Sequence, residues 1–140
     1  MAVIKFHADK IPFKLTQPQK VSRWLRNVCE AEHRELGALT YIFCTDQVLL
    51  RLNKQYLKHS TYTDILSFDY SEGSGIIQGE IYISIPRVRE NAREFHQEFD
   101  YELRRVMVHG LLHFFGFPDK LPKEKAQMRS KEEACLSLWK

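Results

Sequence analysis

The chain has 140 residues, 44% of them apolar and 28% charged, with a net charge of +3. That length suits a single domain with one core, residues 1–140, and the composition is that of a globular protein. No apolar run approaches the length that spans a bilayer, and the charge is too mild to argue by itself for a nucleic-acid partner.

The opening "AVIKF" reads as an edge strand. "TQPQKVSRWLRNVCEAEHREL" reads as a helix, with Thr16 and Gln19 as a capping box and Pro18 in the first turn. Val21, Trp24, Leu25, Val28 and Cys29 fall at i, i+3, i+4, i+7 and i+8, one apolar stripe. "ALTYIFCT" is rich in β-branched and aromatic residues and reads as a strand, and Asp46 can cap a helix over "QVLLRLNKQYL". The period then changes from helical to alternating. "YTDILSFDY" and "IIQGEIYIS", separated by the turn material "SEGSG", form a hairpin. Ser84 and Pro86 mark the cap and first turn of a helix that carries Ile85, Val88, Ala92, Phe95 and Phe99 inward. Asp100 starts the next helix, and "PKEKAQMRSKEEACLSLW" is a last, charged one. The order βαβαββααα predicts an α+β fold: a small mixed four-stranded sheet with about five helices packed on it.

Three cysteines, Cys29, Cys44 and Cys135, are odd in number, far apart and without CxxC spacing. They point to neither a disulfide framework nor a zinc knuckle. The start, "MAVIKFHADKIPFK", has no apolar run of signal-peptide length. The expected location is cytoplasmic.

The chemistry concentrates in "VMVHGLLHFFGFPDK". On the helix from Asp100, Leu103, Val106, Met107, Gly110, Leu111 and Phe114 form the buried stripe. His109 and His113 are four apart and stack on one face, where two imidazoles can reach one metal ion. Alone, such a pair is weak evidence. Gly116 follows three residues later and can take the left-handed conformation that ends a helix, and Pro118 stops the helix resuming. The chain turns back, so that Asp119 can offer a carboxylate to the same face. The spacing H-x3-H-x2-G-x2-D has the offsets of the metzincin motif H-E-x-x-H-x-x-G-x-x-H. Two nitrogens and one oxygen would leave a tetrahedral zinc one open position, at the end of a central helix. The competing account is a helix with two hydrogen-bonded histidines and an ordinary stop. It leaves the glycine and aspartate offsets accidental. Gly110 stands where a zinc protease carries its glutamate base, which argues against proteolysis. It suggests instead that another backbone packs closely on this helix.

At these residues the sequence resembles the YbeY family of metal-dependent endoribonucleases. The family pattern H-G-x-L-H-x-x-G-[YF]-x-H is similar to His109-Gly110-Leu111-Leu112-His113-Phe114-Phe115-Gly116-Phe117-Pro118-Asp119. A second element, L-N-x-x-Y then T-D-V-L-S-F, resembles Leu52-Asn53-Lys54-Gln55-Tyr56 and Thr63-Asp64-Ile65-Leu66-Ser67-Phe68. A third, G-D-I-x-I-S, resembles Gly79-Glu80-Ile81-Tyr82-Ile83-Ser84. There are two departures. Asp119 stands at the third histidine, and Leu57 stands where the family has an arginine thought to face substrate, with Lys58 and His59 as the adjacent substitutes. The resemblance implies one zinc ion per chain and hydrolysis of single-stranded RNA. It also implies work on the ribosomal subunit, in maturation of the 16S 3′ end of ribosomal RNA and in ribosome quality control. A ribosome-associated RNA-binding module with a structural metal, supported by the missing arginine, is the alternative. A hydrolase of another substrate is the third.

Around this core, Asp64 can orient a ligand histidine through its second nitrogen or simply start a strand. Thr63 and Ser67 lie beside the same cleft by resemblance. His59 is the candidate catalytic proton carrier, in the polar loop "LKHSTYT", where a solvated histidine is the plain reading. Arg105, one turn before His109, suits phosphate binding or an ion pair. Glu80 serves the hairpin or supports the site from behind. His7, His33 and His96 belong to no motif and are expected at the surface.

Overall fold

The computed structural model describes residues 2–57 and 63–140. The elements follow the expected order: β1 (Val3–Ala8), α1 (Pro18–Ala31), β2 (Glu35–Cys44), α2 (Asp46–Leu52), β3 (Ile65–Asp69), β4 (Ile76–Ser84), α3 (Ile85–Glu94), α4 (Phe99–Phe114) and α5 (Pro122–Leu136). A π-helical turn, Asn53–Leu57, extends α2. The sheet order is β1-β2-β4-β3. β1 and β4 flank β2 in parallel, and β3 pairs antiparallel with β4 as the expected hairpin, with Ser67 opposite Ile81. β1 is an edge strand, as its sequence indicates.

Alternation along β3 and β4 divides the sheet into two faces. Ile77, Ile81 and Ile83 of β4 enter the main core with Val21, Leu25 and Val28 of α1 and Val106, Met107 and Leu111 of α4. Leu66 of β3 faces the other way, in a smaller cluster with Cys44, Val48 and Leu49, against which Phe68 and Tyr82 pack. Two buried hydrogen bonds tie the layers. Tyr41 Oη donates to the Met107 carbonyl at 2.8 Å, fixing α4 on β2. Trp24 Nε1 donates to the Cys135 carbonyl at 2.9 Å, fixing α5 on α1. No helix among the described residues is long and apolar enough to cross a membrane.

Four local expectations are corrected. Pro18 occupies the first helical turn, so Gln17 is the N-cap of α1; it is left-handed at φ 53° and makes no side-chain cap, and Thr16 lies one residue too early for its box with Gln19. The cap of α2 is Thr45, whose Oγ1 accepts from Val48 N at 3.3 Å. Asp46 instead accepts from Ser84 Oγ at 2.6 Å and Arg87 Nε at 3.3 Å, binding the starts of α2 and α3 together. Ser84 caps α3 as expected, accepting from Arg87 N at 3.3 Å. Phe95 does not point inward: α3 ends before it, and it is exposed. α4 begins one residue before Asp100, at Phe99.

Candidate metal centre

α4 carries both histidines on its exposed side while its opposite side is core. Leu103, Val106, Met107, Gly110 and Leu111 are buried as expected, and Phe114 is half-buried. Gly110 meets side chains rather than a second backbone. A Cβ there would lie 2.8 Å from Ile65 Cδ1 and 3.1 Å from Ile81 Cγ2. The glycine therefore seats α4 low on the β3–β4 hairpin.

The helix ends as its sequence requires. Gly116 has φ +98°. Its N–H donates to the His113 carbonyl at 3.0 Å, and Phe117 N–H reaches back to the Leu112 carbonyl at 3.1 Å. This pair of bonds is a Schellman turn, which reverses the chain. Arg34 supports it by donating to the Phe115 carbonyl at 2.7 Å. The reversal delivers Asp119 to the histidine face.

His109, His113 and Asp119 converge. Nε2 of His113 lies 3.1 Å from Nε2 of His109. Asp119 Oδ2 lies 3.1 Å from His109 Nε2 and 3.3 Å from His113 Nε2. A tetrahedral ion about 2.0–2.1 Å from each donor requires donors about 3.3–3.4 Å apart. The triangle fits a zinc-sized ion with little adjustment, and the donor chemistry suits one. The side chains are 18%, 33% and 33% exposed in the order His109, His113, Asp119, so the free side of the triangle faces solvent.

Behind His109 lies a carboxylate that sequence reasoning missed. Glu132 of α5 places Oε2 2.6 Å from His109 Nδ1, and its Oε1 accepts from Arg105 at 3.1 Å. Arg105 also donates twice to Glu102, at 2.9 and 2.6 Å. Both glutamates are buried. Burial opposes charge on His109, but the Glu132 hydrogen bond and charge, with Asp119 and Asp64 beyond, outweigh it and raise its pKa. Burial also disfavours the Glu132 carboxylate, yet His109 and Arg105 together hold its pKa below the usual glutamate value. The signal for Glu132 was available. With Met128 and Cys135 it completes an i, i+4, i+7 buried stripe on an otherwise charged helix.

The other candidates fall into place around this centre. Asp64 lies near enough for its charge to act on His109, but its Oδ2 accepts from Asn91 at 3.1 Å. The carboxylate on His109 Nδ1 is Glu132, not Asp64. Arg105 is engaged by Glu102 and Glu132, as the ion-pair reading had it. Thr63 Oγ1 donates to the Ile65 carbonyl at 3.3 Å, and Ser67 is exposed on β3. Glu80 accepts from Tyr70 Oη at 2.9 Å across the hairpin. His7, His33 and His96 are exposed. Lys58 and His59 lie outside the described residues.

A family model described as Endoribonuclease YbeY matches residues 4–140. Among curated relatives, the Endoribonuclease YbeY of Christiangramia forsetii is 47% identical over 127 residues, covering 91% of this chain and 88% of its own length. That of Flavobacterium psychrophilum is 47% identical over 137 residues, covering 98% and 96%. That of Cytophaga hutchinsonii is 45% identical over 137 residues, with the same coverage. The solution structure of TM1509 from Thermotoga maritima matches with a TM-score of 0.67 and 26% identity, over 97% of this chain and 88% of that one.

Proposed function

The chain belongs to the YbeY family, and on that premise we propose that it is a zinc-dependent endoribonuclease specific for single-stranded RNA. It would act in the cytoplasm on the ribosomal subunit, in maturation of the 16S 3′ end of ribosomal RNA and in ribosome quality control. The observation that carries the catalytic part is the convergence of His109, His113 and Asp119, three donors at the mutual spacing one tetrahedral ion requires. One ion binds per chain. Bound there, zinc supplies a water of pKa near 7 and neutralises charge on a phosphate oxygen.

The chain's own residues hold and aim this chemistry. His109 and His113 approach from a rigid helix, and Asp119 from the Schellman turn. Gly110 offers no carboxylate beside the first histidine, so the proton of the attacking water leaves by another route. His59 is the proposed carrier, two residues beyond Leu57 in the sequence. An RNA-binding module with a structural metal is the second reading, and Leu57 in place of the family's arginine is what favours it.

A turnover assay on single-stranded RNA, with and without chelator, separates the two. Cleavage by the metal-loaded protein should be lost on chelation and in His113→Ala, and a metal-loaded protein that binds RNA without cutting it supports the module. RNA with a single 2′-deoxy substitution at the cut site then identifies the nucleophile. Persistent cleavage means water attacks, whereas cleavage that vanishes assigns attack to the 2′-hydroxyl.

A further inference from the structure

We infer that Glu132, on a helix that supplies no ligand, is a positioning residue that sets the affinity of the metal centre through His109. The inference rests on the metal-binding part of the proposed function and not on RNA cleavage. An imidazole ligates through a bare nitrogen, so one of the two ring nitrogens must hold the proton elsewhere. Glu132 is an acceptor only, and its Oε2 is 2.6 Å from His109 Nδ1. In the neutral ring, the form that ligates, Nδ1 is therefore the donor, and Nε2, the atom facing His113 and Asp119, is the bare nitrogen. The same bond fixes the ring plane about the axis that aims Nε2 at the centre.

Glu132 is in turn held from behind. Its side chain is 6% exposed, and a carboxylate so buried is costly unless paired. Arg105 supplies the pairing at 3.1 Å and is itself gripped by the two oxygens of Glu102, which is 1% exposed. The order Glu102–Arg105–Glu132–His109 runs from α4 across to α5 and back. The two histidines differ in this respect. Only the His109 ring has a carboxylate on Nδ1 among the described residues, so His109 is oriented and His113 follows from the helix alone.

A purely structural role, an ion pair joining α4 and α5, makes a different forecast. It lowers stability when Glu132 is removed but leaves the metal affinity of the folded protein alone. The test is zinc affinity by chelator competition on the full chain, for wild type, Glu132→Ala, Glu132→Gln and the exposed neighbour Glu133→Ala. Folding is checked by circular dichroism. Glu132→Ala should raise Kd tenfold to a hundredfold, Glu132→Gln by less, and Glu133→Ala not at all. Nitrogen-15 NMR of the zinc-loaded wild type should show a slowly exchanging His109 Nδ1–H. In Glu132→Gln that signal should shift and exchange faster while the His113 signal stays put. A folded Glu132→Ala within twofold of wild type overturns the inference. If that variant does not fold, an unchanged Kd in Glu132→Gln does so, and so does a wild-type His109 ligated through Nδ1. A chain whose zinc affinity depends on Glu132 but that cuts no RNA would sink the proposed activity and leave this inference intact.

Discussion

Replacing Gly116 isolates one physical cause. Its φ is +98°, and nothing lies within 4 Å of where a Cβ would stand. A side chain there meets no neighbour, so the penalty is conformational alone. An L-residue in this region costs roughly 1–2 kcal/mol. Loss of glycine's freedom in the unfolded chain returns about 0.4–1 kcal/mol. The net for Gly116→Ala is a destabilisation of about 1 kcal/mol, a fall in melting temperature of about 3–5 °C for a chain of this length. If the strained turn relaxes in the metal-free protein, the ion must restore it before Asp119 can reach, which weakens zinc binding about fivefold. Asparagine tolerates the left-handed region and should cost less than alanine, whereas valine, β-branched, should cost more. The assays are thermal unfolding without metal and chelator competition for zinc, on the series Gly, Asn, Ala, Val. Asparagine as damaging as valine would show that volume, not φ, governs the position. An alanine variant with wild-type melting and affinity would remove the returning turn from the account of the site.

Three further outcomes are expected. Gly79→Ala places a methyl 2.9 Å from the Phe114 ring and against the Phe68 carbonyl, within a paired strand. Urea unfolding should show a loss of about 1–3 kcal/mol, and wild-type stability would contradict that packing. Asp119→His should keep stoichiometric metal by elemental analysis, because imidazole is an equivalent zinc ligand, while Asp119→Ala should lose it. Burial pushes the Cys29 and Cys135 thiols up to about 11 and that of Cys44 to about 12, from an ordinary thiol value of 9.0. The folded protein then holds protons that the unfolded chain releases, so this stabilisation is complete below pH 9 and is lost as pH rises through 11 to 12. Stability measured from pH 8 to 11 should fall with a slope that Cys→Ala substitution reduces, and an unchanged slope would refute the assignment.

The main elements and the convergence of His109, His113 and Asp119 were legible because each rests on a local rule. The stripe of α1 and the alternation of β4 are periodicities, and the Gly116–Pro118 stop is backbone chemistry. Details decided by distant partners were not legible. Asp46 looks like a cap until Ser84 and Arg87 claim its carboxylate. Thr16 loses its capping role by one residue, because Pro18 sets where the helix begins. Gly110 was expected to admit a backbone and instead admits two isoleucines from the hairpin. Glu132 was hidden by its company. A glutamate in "RSKEEAC" resembles a solvated charge, and only its register with Met128 and Cys135 marks it as buried.

The packing of α5 bears on how the protein is made. Its lysine and backbone meet α1, through Lys131 to Glu32 at 3.1 Å and Trp24 to the Cys135 carbonyl, while Glu132 meets α4. Synthesis is vectorial, and α1 and both histidines of α4 are made before this helix exists. Until it arrives, Trp24 lacks its hydrogen-bond partner and His109 lacks the carboxylate that orients it. A nascent chain thus carries His109, His113 and Asp119 before it carries the carboxylate behind them, and the candidate centre is finished by the same docking event that finishes the core.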